Sequence, residues 1–303
     1  MSRLFAVGGL TLDWVRRIGS ERGPNVGGNA AYAAVGARLA GAEAEIVAVL
    51  GADYPTGLLV ELEVAGIGTG RSRRASGPSF RVLLDDRGPE RVISYLPHSG
   101  SNRDLDPLPA QLPTEIADAG LHICAIRPSS QRAIIEALGP GAGIVTLDTV
   151  HIAGQIEPTA RELVSLAQRV DVFLPSREEV DRFWPGGIEP ALRALADAGV
   201  RRAVVKLGPD GSLGIDGGEF VRMPAASAKV VDTTGAGDAY CGAFCAALAG
   251  GSSFREALAW GAAAASVVIE GYGLAHALAR DAIDRARARF IELQALTEVR
   301  FGT

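Results

Sequence analysis

The chain has 303 residues, of which 48% are hydrophobic and 21% are charged, and its formal net charge is −5, so it has the composition of a folded globular protein rather than a disordered one. The acidic balance, the short Lys/Arg runs and the 6% aromatic content argue against nucleic-acid binding. The amino terminus soon meets Asp13 and Arg16, no stretch has about 18 uncharged apolar residues, and the three cysteines lack a CxxC spacing, so we expect no secretory signal, no membrane span and a cytoplasmic location.

Short apolar runs rich in β-branched residues alternate with helical patterns along most of the chain. We predict strands at residues 4–7, 46–49, 121–126, 144–147, 172–174 and 203–207. We predict helices at residues 30–39, 56–64, 131–138, 159–167 and 188–198. Strands that are buried on both faces and separated by helices form parallel sheets. The sequence therefore predicts a single α/β domain over residues 1–303, with a doubly wound, mainly parallel sheet flanked by helices.

Residues 71–99 interrupt this alternation. Two apolar runs, at residues 79–85 and 91–96, flank a turn rich in Asp and Gly at residues 85–90, which predicts an antiparallel hairpin. We expect the hairpin to form a small β-sheet with residues 11–23. The pattern is equally consistent with an ordinary surface hairpin and with a lid that excludes water from a reaction.

The last third of the chain differs from the rest in composition. Residues 238–249 and 254–269 are rich in Ala and nearly free of charge, and residues 250–253 read GGSS. This pattern predicts two closely packed, largely buried helices. Residues 281–294 predict an amphipathic helix that bears arginines.

A glycine-rich segment, residues 234–238 (TGAGD), directly precedes the first of these two helices. Unpaired backbone N–H groups and the helix dipole favour an anion at a helix N-terminus, and glycine lets the backbone approach a phosphate closely. Asp238 there could cap the helix, or it could take a proton from a hydroxyl that attacks a bound phosphate. The next glycine lies at residue 242, which does not fit the dinucleotide fingerprint, and the P-loop signature is absent.

Two motifs resemble the signatures of the ribokinase-like (PfkB) carbohydrate kinase family. Residues 231–244 read VDTTGAGDAYCGAF, which is similar to the family's D-T-x-G-A-G-D signature. Residues 26–41 read VGGNAAYAAVGARLAG and are followed by VLGAD at residues 49–53, which resemble its glycine-rich N-terminal signature. The resemblance extends from about residue 4 to residue 275. It implies ATP-dependent transfer of a phosphoryl group to a small-molecule hydroxyl, with Mg²⁺ as cofactor.

The resemblance also assigns roles to individual positions. It makes Asp238 the general base, and it forms an anion hole from Gly235, Ala236 and Gly237. Its substrate-binding positions are Asp13, Gly27, Gly28 and Asn29. Its nucleotide-binding positions are Lys206, Gly208, Gly211 and Thr233, and Lys206 is one of only two lysines in the chain.

Metal positions follow from the same comparison. The family's N-x-x-E motif appears as Ser176 to Glu179, so Glu179 is expected to act on Mg²⁺ through water while Ser replaces the usual Asn. Asp232 and Thr234 match positions that lie at a K⁺ site in several relatives, and they could equally stabilise the turn through backbone hydrogen bonds.

Three functions remain open at this point. The first is a kinase for a sugar or sugar acid, and the second is a nucleoside kinase of the same architecture. The third is a ligand-binding protein that has lost catalysis, for which Ser176 is the one indication. The resemblance further implies a homodimer that forms through the lid.

Overall fold

The structure, a computed structural model, describes residues 2–17, 20–85, 92–114, 116–139, 141–149 and 156–298. The predicted turn of the hairpin lies almost entirely outside these residues, as do two residues of the predicted 11–23 segment.

The strands of the described residues are numbered in chain order. They are β1 (Arg3–Val7), β2 (Thr11–Arg17), β3 (Ser20–Gly27), β4 (Glu43–Val47), β5 (Val49–Leu50), β6 (Ile67–Gly68), β7 (Arg73–Arg74), β8 (Phe80–Asp85), β9 (Val92–Tyr95), β10 (Ala119–Ile123), β11 (Ile144–Leu147), β12 (Val172–Phe173), β13 (Arg202–Lys206), β14 (Ser212–Asp216) and β15 (Glu219–Met223).

The helices are α1 (Asn29–Leu39), α2 (Thr56–Val64), α3 (Asn102–Leu105), α4 (Pro128–Ala137), α5 (Ala160–Ala167), α6 (Arg177–Phe183), α7 (Ile188–Asp197), α8 (Ala236–Ala249), α9 (Phe254–Val268), α10 (Ala275–Leu278) and α11 (Asp281–Glu298). Each predicted helix appears with bounds within four residues of the prediction. None of the described helices is long and apolar enough to cross a membrane.

A large sheet has the strand order β15-β14-β13-β12-β11-β10-β1-β4-β6. Its pairs from β13 to β6 are parallel, which confirms the prediction of a doubly wound, mainly parallel sheet. The antiparallel strands β14 and β15 at one edge were not predicted. Gly214 interrupts the apolar pattern of β14. The position is a glycine because the ring of Phe254 occupies the space where a side chain would lie.

Helices cover both faces of this sheet. One layer contains α1, α8 and α9, and the opposite layer contains α4, α5, α6 and α7. The helices α1 and α8 touch through backbone, since a Cβ on Gly36 would lie 2.0 Å from the Ala239 carbonyl oxygen and one on Gly242 would lie 1.9 Å from the Ala33 carbonyl oxygen. This close approach fixes the N-terminus of α8 beside α1.

A separate small sheet has the order β3-β2-β8-β9. The strands β8 and β9 pair antiparallel, as the hairpin prediction requires, and β2 pairs parallel with β8. The small sheet predicted from residues 11–23 and 71–99 is therefore present, and its first half continues to Gly27. One face packs Val15, Val82 and Leu84 near Tyr272, which follows α9.

Candidate active site

The amino end of α8 is a tight turn built on glycine. Gly235 precedes the helix with φ of 73°, in the left-handed region, and a Cβ there would lie 2.1 Å from the Tyr32 ring. The Asp232 carboxylate accepts a 2.8 Å hydrogen bond from the Thr234 N–H, which holds the turn. Asp238 lies in the first turn of α8, where the first backbone N–H groups have no partner within the helix. The predicted anion hole and base therefore lie together at one helix N-terminus.

Lys206, at the end of β13, reaches the same place. A Cβ on Gly237 would lie 3.9 Å from Lys206 Nζ. The ammonium group donates to Asp148 Oδ2 at 2.7 Å and lies 3.3 Å from Cys241 Sγ. The side chains of Lys206 and Asp148 are only 12% and 6% exposed. A buried ion pair thus lies directly beside the start of α8.

Three carboxyl groups, those of Asp148, Asp238 and Glu179, interact electrostatically with the Lys206 ammonium group. Burial, followed by the negative charge of Asp148, raises the pKa of Asp238 to about 7, and Lys206 opposes the rise. The same two causes raise the pKa of Glu179 to about 7. A carboxyl group that titrates near neutral pH is well matched to the role of general base.

Glu179 is held by the start of its own helix. Its carboxylate accepts hydrogen bonds from the Ser176 backbone N–H at 2.7 Å and from the Ser176 hydroxyl at 2.8 Å. Ser176 lies beside Lys206, because the Lys206 N–H donates to the carbonyl of Pro175. Ser176 therefore orients the Glu179 carboxylate through two hydrogen bonds at the start of α6.

The predicted substrate residues form a second cluster around Asp13 on β2. The Asp13 carboxylate is 6% exposed and accepts a 2.5 Å hydrogen bond from the Thr11 hydroxyl. A Cβ on Gly27 would lie 2.0 Å from Asp13 Oδ2, so only glycine fits there. Burial raises the pKa of Asp13 to about 6, and the charge of Asp232 adds to the rise. Tyr32, three residues after Asn29 on α1, lies against Gly235, so this cluster is close to the turn before α8.

Asn29 and Gly28 connect this cluster to the large sheet. Asn29 Oδ1 accepts from the Gly9 N–H at 2.8 Å, and Asn29 Nδ2 donates to the Ala125 carbonyl at 2.8 Å. Gly28 has φ of 98°, and a Cβ there would lie 2.4 Å from the Gly9 carbonyl. Asn29 therefore holds together the loops after β1 and β10, both at the carboxyl edge of the sheet.

The other predicted nucleotide residues lie in two turns, one after β13 and one before α8. Gly208 and Gly211, with φ of 60° and 85°, bound the turn between β13 and β14. Asp210 in that turn pairs with Arg177 at 2.6 Å on the surface. Thr233 is exposed beside the turn before α8, and its carbonyl accepts from the Ala236 N–H.

Sequence reasoning missed several groups of the site, and Asp148 is the most important. It follows β11 directly, at the carboxyl end of a parallel strand, where open α/β sheets bind ligands. That position was a usable signal. The roles of Cys241, Thr11 and Tyr32 depend on contacts between distant segments, and the sequence carried no comparable signal for them.

Residues 18–280 match the pfkB family carbohydrate kinases. The chain belongs to this family. The family resemblance is thereby confirmed, and the chain is a kinase.

Individual relatives span nearly the whole chain. A cytidine kinase from Thermococcus kodakarensis is 27% identical over 286 residues, which cover 90% of this chain and 98% of that protein. A ribokinase from Lactococcus lactis is 24% identical and covers 97% and 99%. The crystal structure of aminoimidazole riboside kinase from Salmonella enterica, in complex with aminoimidazole riboside and an ATP analogue, superposes with a TM-score of 0.77 at 21% identity and covers 95% and 100%. The last similarity confirms the ribokinase-like fold.

Proposed function

We propose that this pfkB family kinase transfers the γ-phosphoryl group of ATP to a hydroxyl of a sugar or sugar-derived small molecule. Asp238 is the general base, and the turn of Gly235, Ala236 and Gly237 is the anion hole. Asp13, with Gly27, Gly28 and Asn29 around it, binds the acceptor. Lys206 and the turn bounded by Gly208 and Gly211, together with Thr233, bind the nucleotide.

One observation carries the proposal. A carboxyl group whose pKa is raised to about 7 lies in the first turn of a helix, next to a buried ammonium. The helix N-terminus and Lys206 attract phosphate oxygens, whereas Asp238 attracts a hydroxyl proton. Phosphoryl transfer requires positioning and charge stabilisation more than covalent help, and these groups supply both.

The proposed reaction is a direct displacement. The acceptor hydroxyl oxygen forms a bond to the γ-phosphorus while Asp238 takes the hydroxyl proton. The bond between the γ-phosphorus and the β,γ-bridging oxygen breaks, and ADP leaves with that electron pair. The Asp13 carboxylate is suited to hold two further hydroxyls of the acceptor, since it can accept two hydrogen bonds.

The residues at the site suit a divalent cation. Glu179 and Asp148 are carboxylates near the proposed phosphate position, and the pKa of Glu179 is raised by burial and by Asp148. Mg²⁺ prefers oxygen ligands and waters and would neutralise phosphate charge there, with Glu179 acting through water. A K⁺ ion at Asp232 and Thr234 is a second part of the proposal. Comparing the rates in K⁺ and Na⁺ buffers of equal ionic strength tests it.

The central experiment is Asp238→Asn. It removes the proton acceptor while keeping the size of the side chain, so we expect kcat to fall by about 10²- to 10⁴-fold with little change in ATP binding. Asp284→Asn, an exposed position on α11, is the matched control. Unchanged turnover in Asp238→Asn would reject the assignment of the base.

The acceptor is the finer question. A sugar or sugar acid is the leading class. Nucleosides are the alternative, and the similarity to a cytidine kinase supports keeping them in view. A thermal-shift screen of sugars, sugar acids and nucleosides, with and without ATP, separates these classes because a bound ligand raises apparent stability. A ligand-binding protein without catalysis would show shifts but no phosphorylated product.

The small sheet β3-β2-β8-β9, which we call the lid, is also proposed as a dimer contact. The strands β3 and β9 are the edges of the small sheet, and an edge strand offers unpaired backbone groups to a second subunit. Light scattering gives the mass in solution. A monomeric mass would remove the dimer from the proposal and leave the lid's role in excluding water to be tested separately.

A further inference from the structure

A concave surface lies at one end of the lid. It has a volume of about 540 Å³, and its walls include Phe80, Tyr95, Leu96, Arg127 and Ile156. We call it the lid pocket. This volume lies within the range of about 300–1,000 Å³ typical of small-molecule sites.

The strand register places the aromatic wall on the same face of the lid sheet as Asp13. Thr11 pairs with Phe80, Asp13 pairs with Val82, and Val82 pairs with Tyr95. Directly paired residues project to the same face, and diagonal neighbours lie about 7–8 Å apart. Phe80 and Tyr95 are therefore one and two strands away from the proposed acceptor carboxylate.

The wall that contains Arg127 follows a segment of chain held by Asn29, another predicted substrate-binding residue. Asn29 Nδ2 donates to the Ala125 carbonyl, two residues before Arg127. The pocket thus spans the space between the lid and the carboxyl end of β10. If Asp13 holds the acceptor, a large substituent of the acceptor on the side of Phe80 and Tyr95 would extend into the lid pocket.

The walls suit a flat, uncharged ring. Phe80 and Tyr95 meet edge to face with their ring centroids 5.1 Å apart, and Tyr95 is 40% exposed. Leu96 and Ile156 add aliphatic surface. An aromatic heterocycle can stack on such a surface and tolerate polar edges at its rim.

Two arginines line the pocket: Arg103 is exposed, and Arg127 is held by a buried carboxylate. The Arg127 guanidinium pairs with Asp106 at 2.7 Å, and Asp106 is only 7% exposed. Asp106 also accepts from the Ser130 hydroxyl at 2.6 Å. Because Arg127 is neutralised, it acts as a fixed wall with hydrogen-bond donors rather than as a phosphate clamp.

We propose that the lid pocket binds a planar heterocycle attached to the sugar, so that the acceptor is a nucleoside or a similar N-glycoside. This inference rests on the proposed kinase function and, within it, favours the alternative acceptor class, nucleosides, over free sugars and sugar acids. It makes Tyr95 a specificity-determining residue for the acceptor.

The test compares kcat/KM for cytidine, uridine, adenosine, D-ribose, D-fructose and fructose 6-phosphate with ATP and Mg²⁺. We expect at least one nucleoside to exceed every free sugar. Tyr95→Ala should reduce nucleoside kcat/KM by about fivefold to 100-fold, and by more than it reduces sugar kcat/KM, because the stacking surface is lost. Tyr95→Phe keeps the ring and should keep the preference. Val92→Ala, on the same strand but opposite Asp85 on the other face, is the matched truncation control.

Binding of the nucleosides to the wild-type protein without ATP, measured by calorimetry, requires no turnover. If no nucleoside binds, or if a free or phosphorylated sugar is preferred, the inference is overturned while the kinase function stands. If Asp238→Asn leaves turnover unchanged, the assignment of the base falls instead. The two failures are therefore distinguishable.

Discussion

Replacing Lys206 with Met removes the ammonium group that faces Asp148, Asp238 and Glu179 in a site with little solvent. Lys206 lowers the pKa of Asp238, which burial and Asp148 hold at about 7. Removing an opposite charge within a few ångströms raises a carboxyl pKa by about one unit or more. We therefore expect the acidic limb of the kcat/KM profile of Lys206→Met to move to higher pH.

The size of the effect follows from the ionised fraction of the base. With a pKa of about 7, about half of Asp238 is ionised at pH 7. With a pKa near 8, the ionised fraction is about one tenth, so kcat/KM at pH 7 falls by about fivefold from ionisation alone. This part of the loss disappears by about pH 9, where Asp238 is ionised in both proteins. Any loss that persists there measures the lost contact with the nucleotide.

Asp148→Asn is the reciprocal change. Asp148 raises the pKa of Asp238, so its removal should move the acidic limb to lower pH. Lys229→Met is the control, since Lys229 is the other lysine and is exposed. If Lys206→Met and Asp148→Asn moved the limb in the same direction, or if neither moved it, the electrostatic account of Asp238 would be refuted.

The Lys206 variant also bears on stability. Removing one partner of a buried ion pair costs about 3–5 kcal/mol when the other remains charged. We therefore expect the melting temperature of Lys206→Met to fall. Thermal unfolding at several pH values measures it and shows whether the variant is folded in the kinetic assay.

Three further outcomes are expected. Gly27→Ala places a methyl group against Asp13 Oδ2. It should reduce kcat/KM for the acceptor by about 100-fold, because small misplacements of reacting groups are costly. ATP binding, measured by calorimetry, should persist. Gly235→Ala costs about 1–2 kcal/mol of backbone strain and displaces the Tyr32 ring, so both kcat and the melting temperature should fall; unchanged values would contradict the tight turn. Asp53 has its pKa lowered to about 2 by hydrogen bonds to the start of β8, which outweigh the opposing effect of burial. Its contribution is therefore present above the unfolded pKa of about 4 and lost as the pH falls toward 2. The melting-temperature deficit of Asp53→Asn should narrow over that interval, and a constant deficit would count against it.

Asp53 also illustrates how local signals and tertiary contacts divide. The sequence marked it as the last residue of a segment similar to a family signature. Its partners, Ser79 and Arg81, lie across a long stretch of chain that no periodicity connects to it. The sequence could not indicate that this carboxylate anchors the lid.

The periodicity of the chain predicted the class of the fold and eight of the eleven helices that the structure describes, and it missed α3, α6 and α10. Apolar runs bounded by helical patterns suffice for this, because a strand buried on both faces can be satisfied only inside a parallel sheet. The glycine turn before α8 likewise predicted a phosphate site, and the family resemblance predicted Asp238 as the base. These features are local, so residues close in sequence carry them.

Only the tertiary structure decided what surrounds Asp238. Lys206, Asp148 and Cys241 come from two strands and a helix, and they meet because the carboxyl ends of β11 and β13 face the first turns of α8. The resulting charges set the pKa of Asp238, and charge acts through space rather than along the chain. For the same reason the lid pocket became visible only when the register of β2, β8 and β9 was known.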